Sequence, residues 1–293
     1  ADQTAFLRSK CQLLNPQQPD AQIACLMEHE LIPQYCKRNI AFKLLKPSAK
    51  QPASVLSAEI CLSALLAQKF SVVLADPLKY DDPLAAVLYT MAEVAAFNAD
   101  RYLALNMVPV TVLRRFTSDE MADEFRACSA WVEKSDQEQM VNVREVCSES
   151  DLARAQLFAF LIGQWDNHRD NYVISPDGKL HLIDHERIFE TANSWFLKLC
   201  DRLQWHKVEP ALLARLKALD LKTVKSFWPN LPATISLAEQ ARYEQLVTDY
   251  ATELLVRRDI IVAYFDAHPQ SVYELSKVPQ RTDSLFTAPV DQR

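Results

Sequence analysis

Four residues in one short stretch carry side chains suited to metal and proton chemistry: Asp166, His168, Asn171 and Asp184. Pro176-Asp177-Gly178-Lys179 has the residue choice of a β-turn, with Pro, Asp and Gly in succession. Tyr172 to Ile174 and Leu180 to Ile183 flank it as strands. A turn centred between 177 and 178 sets Asn171 opposite Asp184 at the open end of this hairpin. An amide oxygen beside a carboxylate is a hard oxygen pair, suited to Mg²⁺ or Mn²⁺ carrying phosphates. Asp166 lies five residues before Asn171, on the loop leaving an apolar helix.

An Asp, an Asn five residues later and an Asp thirteen residues after that is the spacing of phosphoryl-transfer apparatus of the protein-kinase kind. The first Asp orients or deprotonates the acceptor hydroxyl, and the Asn and second Asp hold metal. His168-Arg169-Asp170 spells the familiar kinase triplet but is a decoy. With Asp170 as base the frame needs Asn at 175, and that residue is Ser175. The frame Asp166-x-His168-x-x-Asn171 fits, and places His168 where it can hydrogen-bond the transferring group. Glu93 adds an independent signal. It sits among Leu88, Met91, Val94, Ala95, Ala96 and Phe97 on a helix apolar nearly all round, and a buried carboxylate needs a cation or metal. Lys43 and Lys46 are candidate cations; three apart on one strand, they point to opposite faces and only one can serve.

The elements that must position these groups follow from local pattern. Asn39 to Leu45 and Phe70 to Ala75 read as strands, Ser57 to Ala67 as a helix. Asp81 and Asp82 supply capping carboxylates and Pro83 suits a first helical position, starting a helix that runs to about Leu105. Val108 to Arg114 and Ser129 to Glu133 read as strands, separated by a polar stretch from Thr117 to Arg126. Ser135 to Gln139 reads as a linker. Leu152 to Gln164 is a buried helix, and the region from Phe189 to about His268 is helical, with breaks at Pro210, Pro229 and Pro232. The layout is α+β and bilobal: residues 1–133 form a small mixed sheet-plus-helix lobe, residues 134–293 a mostly helical one.

Composition removes other classes. The 293 residues are 49% apolar and 24% charged, ordinary for a globular chain. No apolar run approaches the ~20 residues of a spanning helix, so no transmembrane segment is expected. A net charge of −6 and no basic block longer than a pair argue against nucleic acid. Only 2 glycines are present, Gly163 and Gly178, so a glycine-rich phosphate cradle is excluded. The 7 cysteines have no C-x-x-C spacing, which argues against zinc. An odd number leaves at least one outside any intrachain disulfide, and the spread fits one to three disulfides or none. The chain starts at Ala1 without Met and shows no hydrophobic signal region, which fits a processed exported protein or a trimmed chain; export is weakly favoured over a cytoplasmic location.

Phe160-Leu-Ile-Gly-Gln-Trp-Asp-Asn-His168 resembles the catalytic loop of the Four-jointed and Golgi casein kinase family of secretory-pathway kinases. Glu93-Val-Ala-Ala-Phe-Asn-Ala-Asp-Arg-Tyr-Leu103, followed by Val108-Pro109 and Arg114, is similar to that family's helix-then-strand signature. Ile183-Asp-His-Glu-Arg-Ile-Phe189 resembles its metal-binding segment. The same elements recur in phosphatidylinositol 3-/4-kinases and HipA-type kinases, and Ser129-Ala-Trp-Val-Glu133 resembles the lipid-kinase hinge. Ala41-x-Lys43 resembles the usual kinase strand pattern, and Lys46-Pro47 the Phe-Lys-Pro of atypical kinases; Lys46 is preferred.

The resemblance implies a protein-kinase-like fold and ATP as donor with Mg²⁺ or Mn²⁺. It implies Asp166 as acid/base, Asp184 as metal ligand with Asn171, and Glu93 bound to Lys46 or the metal. Val132 and Glu133 would present backbone groups to adenine. The acceptor is a hydroxyl: a protein Ser/Thr, favoured, or a small-molecule acceptor such as a sugar or inositol lipid. The chain departs from the pattern at His185-Glu186, where kinases carry a glycine after the metal Asp, and at Asn167, where an arginine often follows the base. These departures keep a second reading open, a degraded pseudokinase that binds nucleotide or a partner. A third, a metal-dependent hydrolase using His168, His181 and His185, is disfavoured because the hairpin puts His181 on a strand and His185 on the loop after it.

Overall fold

The computed structural model describes residues 36–38, 57–62, 69–74, 83–116, 124–130, 132, 147–164, 171–188, 208–231, 236–269 and 272. The chain divides into two compact units, one of Ala1–Val94 with Pro109–Trp131, the other of Ala95–Val108 with Val132–Arg293. Both helices and small sheets are present, which makes the described part α+β.

The first unit holds a five-stranded antiparallel sheet. Its strands are β1 (Cys36–Arg38), β2 (Ser57–Leu62), β3 (Lys69–Leu74), β4 (Thr111–Phe116) and β5 (Glu124–Ala130), in the order β1-β2-β3-β5-β4. The β2 segment corrects the helix expected from Ser57. Alanine and leucine favour a helix there by only tenths of a kcal/mol per residue. The ladder from Ser57↔Leu74 to Leu62↔Lys69 supplies inter-strand hydrogen bonds instead. The expected strand at Val108 begins only at Thr111, because Pro109 has no N–H for the ladder. Strand β5 starts at Glu124, inside the stretch read as polar and well before the expected Ser129. Its Ala127 and Cys128 are fully buried. Thr111 and Ser129 face one another with hydroxyls 2.9 Å apart. The strand expected over Asn39 to Leu45, the caps Asp81 and Asp82, and the linker from Ser135 lie outside the described residues.

Helix α1 (Pro83–Leu103) begins at the expected proline. Its first turns belong to the first unit and its last to the second. The run Thr90 to Phe97 is buried without interruption, which explains an apolar pattern lacking any one-sided stripe.

The second unit is built on helix α2 (Glu149–Ile162), a hairpin of β6 (Tyr172–Ile174) and β7 (Leu180–Leu182), and helices α3 (Pro210–Ala218), α4 (Leu221–Lys225) and α5 (Leu237–Ala267). Pro210 opens α3 rather than breaking a helix. Ser236 and Glu239 close a reciprocal capping box at the start of α5. Helices α2, α3 and α4 all pack on α5. Trp228 is buried, edge-on to Tyr243 and Tyr250 at ring separations of 6.4 and 5.0 Å.

The hairpin forms where expected but in a different register. Tyr172 pairs with Leu182, Val173 with His181 and Ile174 with Leu180. The Gly178 N–H donates to the Ser175 carbonyl at 2.8 Å, and the Ser175 N–H to the Lys179 carbonyl at 3.0 Å. Gly178 has φ +81°, so the connection is a three-residue loop ending in a left-handed glycine, centred on Asp177. This moves every cross-strand partner by one residue from the expected pairing. A Cβ at Gly178 would meet nothing within 4 Å, so Gly178→Ala is expected to cost only the left-handed penalty, about 1–2 kcal/mol. Gly178→Asn should cost much less, because asparagine tolerates that region. Urea unfolding of the two variants checks the ordering.

Candidate active site

The end of α2 is the platform on which the site stands. The last four carbonyls of a helix have no partner within it. Here each finds one. The Gln164 N–H donates to Ala159 O at 2.8 Å and the Gly163 N–H to Phe160 O at 3.2 Å, the reciprocal pair of a Schellman ending. From α5, Arg257 Nε donates to Leu161 O at 2.9 Å, and the Tyr250 hydroxyl to Ile162 O at 3.1 Å. The Arg257 guanidinium also favours a helix C-terminus through the helix dipole. Although half of the basic pair Arg257-Arg258, Arg257 is only 8% exposed.

Gly163 makes this ending possible. Its φ of +79° is one that side chains rarely adopt, and a Cβ there would stand 3.1 Å from the Arg257 guanidinium carbon and 3.3 Å from Ile188 O. Gly163→Ala therefore adds crowding to the backbone penalty that Gly178→Ala incurs alone. It is expected to be the more destabilising of the two glycine substitutions, which the same unfolding measurements decide.

Gln164, the next residue, reaches the hairpin. Its Nε2 donates to the Asp184 backbone carbonyl at 2.6 Å. Asp184 has φ +64°, left-handed for a residue other than glycine. Such a conformation persists only where neighbours hold it, and Gln164 is one such neighbour. The Asp184 side chain is exposed, whereas Asn171 is buried at 5% exposure. The shifted register places Asn171 opposite Ile183, whose N–H donates to Asn171 O at 3.0 Å. The expected direct Asn171–Asp184 cross-strand pairing is thus corrected. Both residues still end the two strands at the open side of the hairpin, one position out of step. Phe158, Ile162, Gln164, Asn171, Leu182 and His185 line a small, partly open pocket beside the hairpin.

A second support reaches the hairpin from α1. Asp100 is wholly buried, and its Oδ1 accepts the Met107 N–H at 2.9 Å. The Met107 carbonyl accepts the Leu182 N–H at 2.9 Å. Burial pushes the Asp100 carboxyl up to about 6, against the opposing pull of the Met107 and Val108 N–H groups and, more weakly, of His185 and Arg101. A carboxyl with a raised native pKa binds its proton more tightly folded than unfolded. Its contribution is therefore most favourable below pH 4 and is lost as pH rises through about 6. Over that window the loss is about 3 kcal/mol at most. Unfolding free energies measured from pH 4 to 7 should show this downward component in the wild type and lack it in Asp100→Asn.

Glu93 is buried in α1 at 6% exposure, as the apolar pattern required. Val132 is half-buried. Asp166, His168, Lys43, Lys46 and Glu133 lie outside the described residues, so the structure brings together Asn171, Asp184 and their supports only. Among the described residues no three His, Cys, Asp or Glu side chains cluster to cage a metal. Mg²⁺ in general uses one or two protein carboxylates and takes its other ligands from phosphate and water. Asn171 and Asp184 are hard oxygen donors of that kind. His181 is half-buried on β7, with Nε2 3.2 Å from the Ser175 hydroxyl; burial and the Lys179 charge lower its pKa. His185 is buried edge-on to Phe158.

No known family profile matches the chain, and no curated protein matches it. Among the solved structures to which it is similar are three that follow. The N-terminal 618-residue fragment of LepB from Legionella pneumophila shares 14% identity at a TM-score of 0.44, over 67% of this chain and 44% of the fragment. The Helicobacter pylori proinflammatory kinase CtkA shares 10% identity at 0.42, over 75% and 95% of the two chains. Hydra Fam20, solved with sugar, shares 14% identity at 0.40, over 77% and 86%. The chain spans less than half of the LepB fragment. At such identities and TM-scores these likenesses assign no activity, and function rests on the chain's own residues.

No described helix is long and apolar enough to cross a membrane.

Proposed function

We propose that the chain is an ATP-dependent phosphotransferase that moves the γ-phosphoryl group to a hydroxyl acceptor, a protein Ser/Thr in preference to a sugar or an inositol lipid. The observation that carries this reading is the presentation of Asp184. An exposed carboxylate stands at the end of a hairpin on a residue in left-handed backbone conformation, whose backbone carbonyl is tied by Gln164 to the end of α2, a terminus whose last four carbonyls all have partners. Two residues beyond Gln164 comes Asp166, the proposed base.

In this reading Asp166 accepts or orients the acceptor hydroxyl proton. Asn171 and Asp184 are the oxygen donors for Mg²⁺ or Mn²⁺. The bound cation supplies charge neutralisation for the phosphates. His168 hydrogen-bonds the transferring group. Lys46, or Lys43 in its place, grips the α/β-phosphates and pairs with Glu93, whose burial calls for a cationic partner. Val132 and Glu133 offer backbone groups to adenine. No covalent intermediate is needed, so catalysis is positioning plus electrostatic stabilisation.

The test is transfer from γ-labelled ATP with Mn²⁺ to a panel of protein, sugar and inositol-lipid acceptors, wild type against Asp166→Asn. Labelling by the wild type, reduced about a hundredfold or more in the variant, is expected. ATP binding with no transfer to any acceptor would favour the nucleotide-binding module instead. Equal labelling by both proteins would remove Asp166 from its role.

A further inference from the structure

We infer that Asp100 is a positioning residue for the metal-binding end of the hairpin, acting through the backbone of Met107; this rests on the reading of Asp184 and Asn171 as metal ligands. The chain of contacts is continuous. Asp100 Oδ1 accepts from Met107 N, and Met107 O accepts from Leu182 N, each at 2.9 Å. Leu182 stands two residues before Asp184.

The segment that Asp100 holds is a bend in unfavourable backbone conformation. Ala104 and Asn106 both have positive φ, 56° and 57°, within three residues. Backbone of this kind needs surrounding structure to fix it. The Leu105 N–H donates to the backbone carbonyl of Asp100 at 3.1 Å, so one residue secures the bend through both its main chain and its side chain. The bend then adds a backbone hydrogen bond to the end of β7, a three-residue strand with few ladder bonds of its own. The second carboxylate oxygen, Oδ2, is buried without a hydrogen-bond partner. A buried charged group satisfied on one side only costs stability. An apolar side chain at this buried position in the last turn of α1 would pack at lower cost, so the carboxylate is explained by the acceptor it supplies to Met107.

The experiment uses the full chain with two substitutions, Asp100→Asn and Asp100→Leu. Asparagine keeps the Oδ1 acceptor; leucine removes it at similar volume. Amide exchange at Met107 and Leu182 and Mn²⁺ affinity in the presence of an ATP analogue are both measured. Asp100→Leu should speed exchange at both amides and weaken Mn²⁺ binding about tenfold or more, the effect of removing an orienting group behind a metal ligand. Asp100→Asn should stay within about threefold of wild type in both, within the range of a retained support. Unchanged Leu182 exchange and Mn²⁺ affinity in Asp100→Leu would overturn the inference, as would an Asp100→Asn protein as impaired as the leucine variant. If Asp100→Leu does not fold, the asparagine variant decides: lost protection at Leu182 contradicts the role and retained protection supports it. Asp184→Asn, run in parallel, separates the two levels. If it leaves Mn²⁺ affinity intact the metal reading fails, while the exchange data still report on the support.

Discussion

Asp184→Asn is expected to lower Mn²⁺-dependent phosphoryl transfer about a thousandfold while leaving the fold intact. The choice of asparagine matters. Asp184 has φ +64°, and asparagine accepts that conformation where alanine resists it. The substitution therefore removes the charge without adding strain, and the Gln164 bond to the backbone carbonyl survives. Because the side chain is exposed, stability should change by less than about 0.5 kcal/mol. Steady-state transfer and thermal unfolding on the same preparation check both halves. Transfer within a factor of a few of wild type would show that Asp184 does not hold the cation.

The second large effect concerns stability. Arg257→Met should destabilise the second unit by about 2–4 kcal/mol. Methionine fills much of the same space but donates nothing to Leu161 O, leaving a buried carbonyl at the end of α2 without its partner. Glu253, 3.5 Å from the guanidinium and itself partly exposed, loses a neighbour but keeps its water. Tyr250→Phe removes the companion bond to Ile162 O and should cost about 1 kcal/mol. Urea unfolding of the two single variants and the double measures their coupling. A loss below about 0.5 kcal/mol for Arg257→Met would mean that the α2 terminus does not depend on α5.

Much of the site's framework could be read from residue pattern because its signals are local. The apolar run Leu152 to Gln164 gave α2, Pro83 gave the start of α1, and Pro176-Asp177-Gly178 gave a hairpin in the right place. The register slipped by one because a glycine after a turn suits a two-residue loop and a three-residue loop alike. The left-handed Gly178 that decides between them is a matter of backbone conformation. Strand β2 was misread because Ala58, Cys61 and Leu62 suit either element, and the partner that settles the matter, β3, is a separate segment.

The supports of the site were harder to see for the same reason. Arg257 looks like half of an exposed charged pair until α5 is laid against the end of α2, nearly a hundred residues earlier in the chain. Gln164 beside Trp165 and Asp100 beside Arg101 read as ordinary polar residues. Nothing in their spacing says that one reaches Asp184 and the other Met107. Glu93 was legible because its neighbours within one helix already showed that it had to be buried. The candidate ligands themselves were legible as residue types, whereas their out-of-step placement required the hairpin register.

The most direct measurement is a crystal structure of the full chain with Mn²⁺ and a non-hydrolysable ATP analogue, with the ion located by its anomalous scattering. The account predicts a peak at about 2.0–2.3 Å from oxygens of Asn171 and Asp184 and in contact with the analogue's phosphates. A peak remote from both side chains, with nucleotide bound elsewhere, would contradict it.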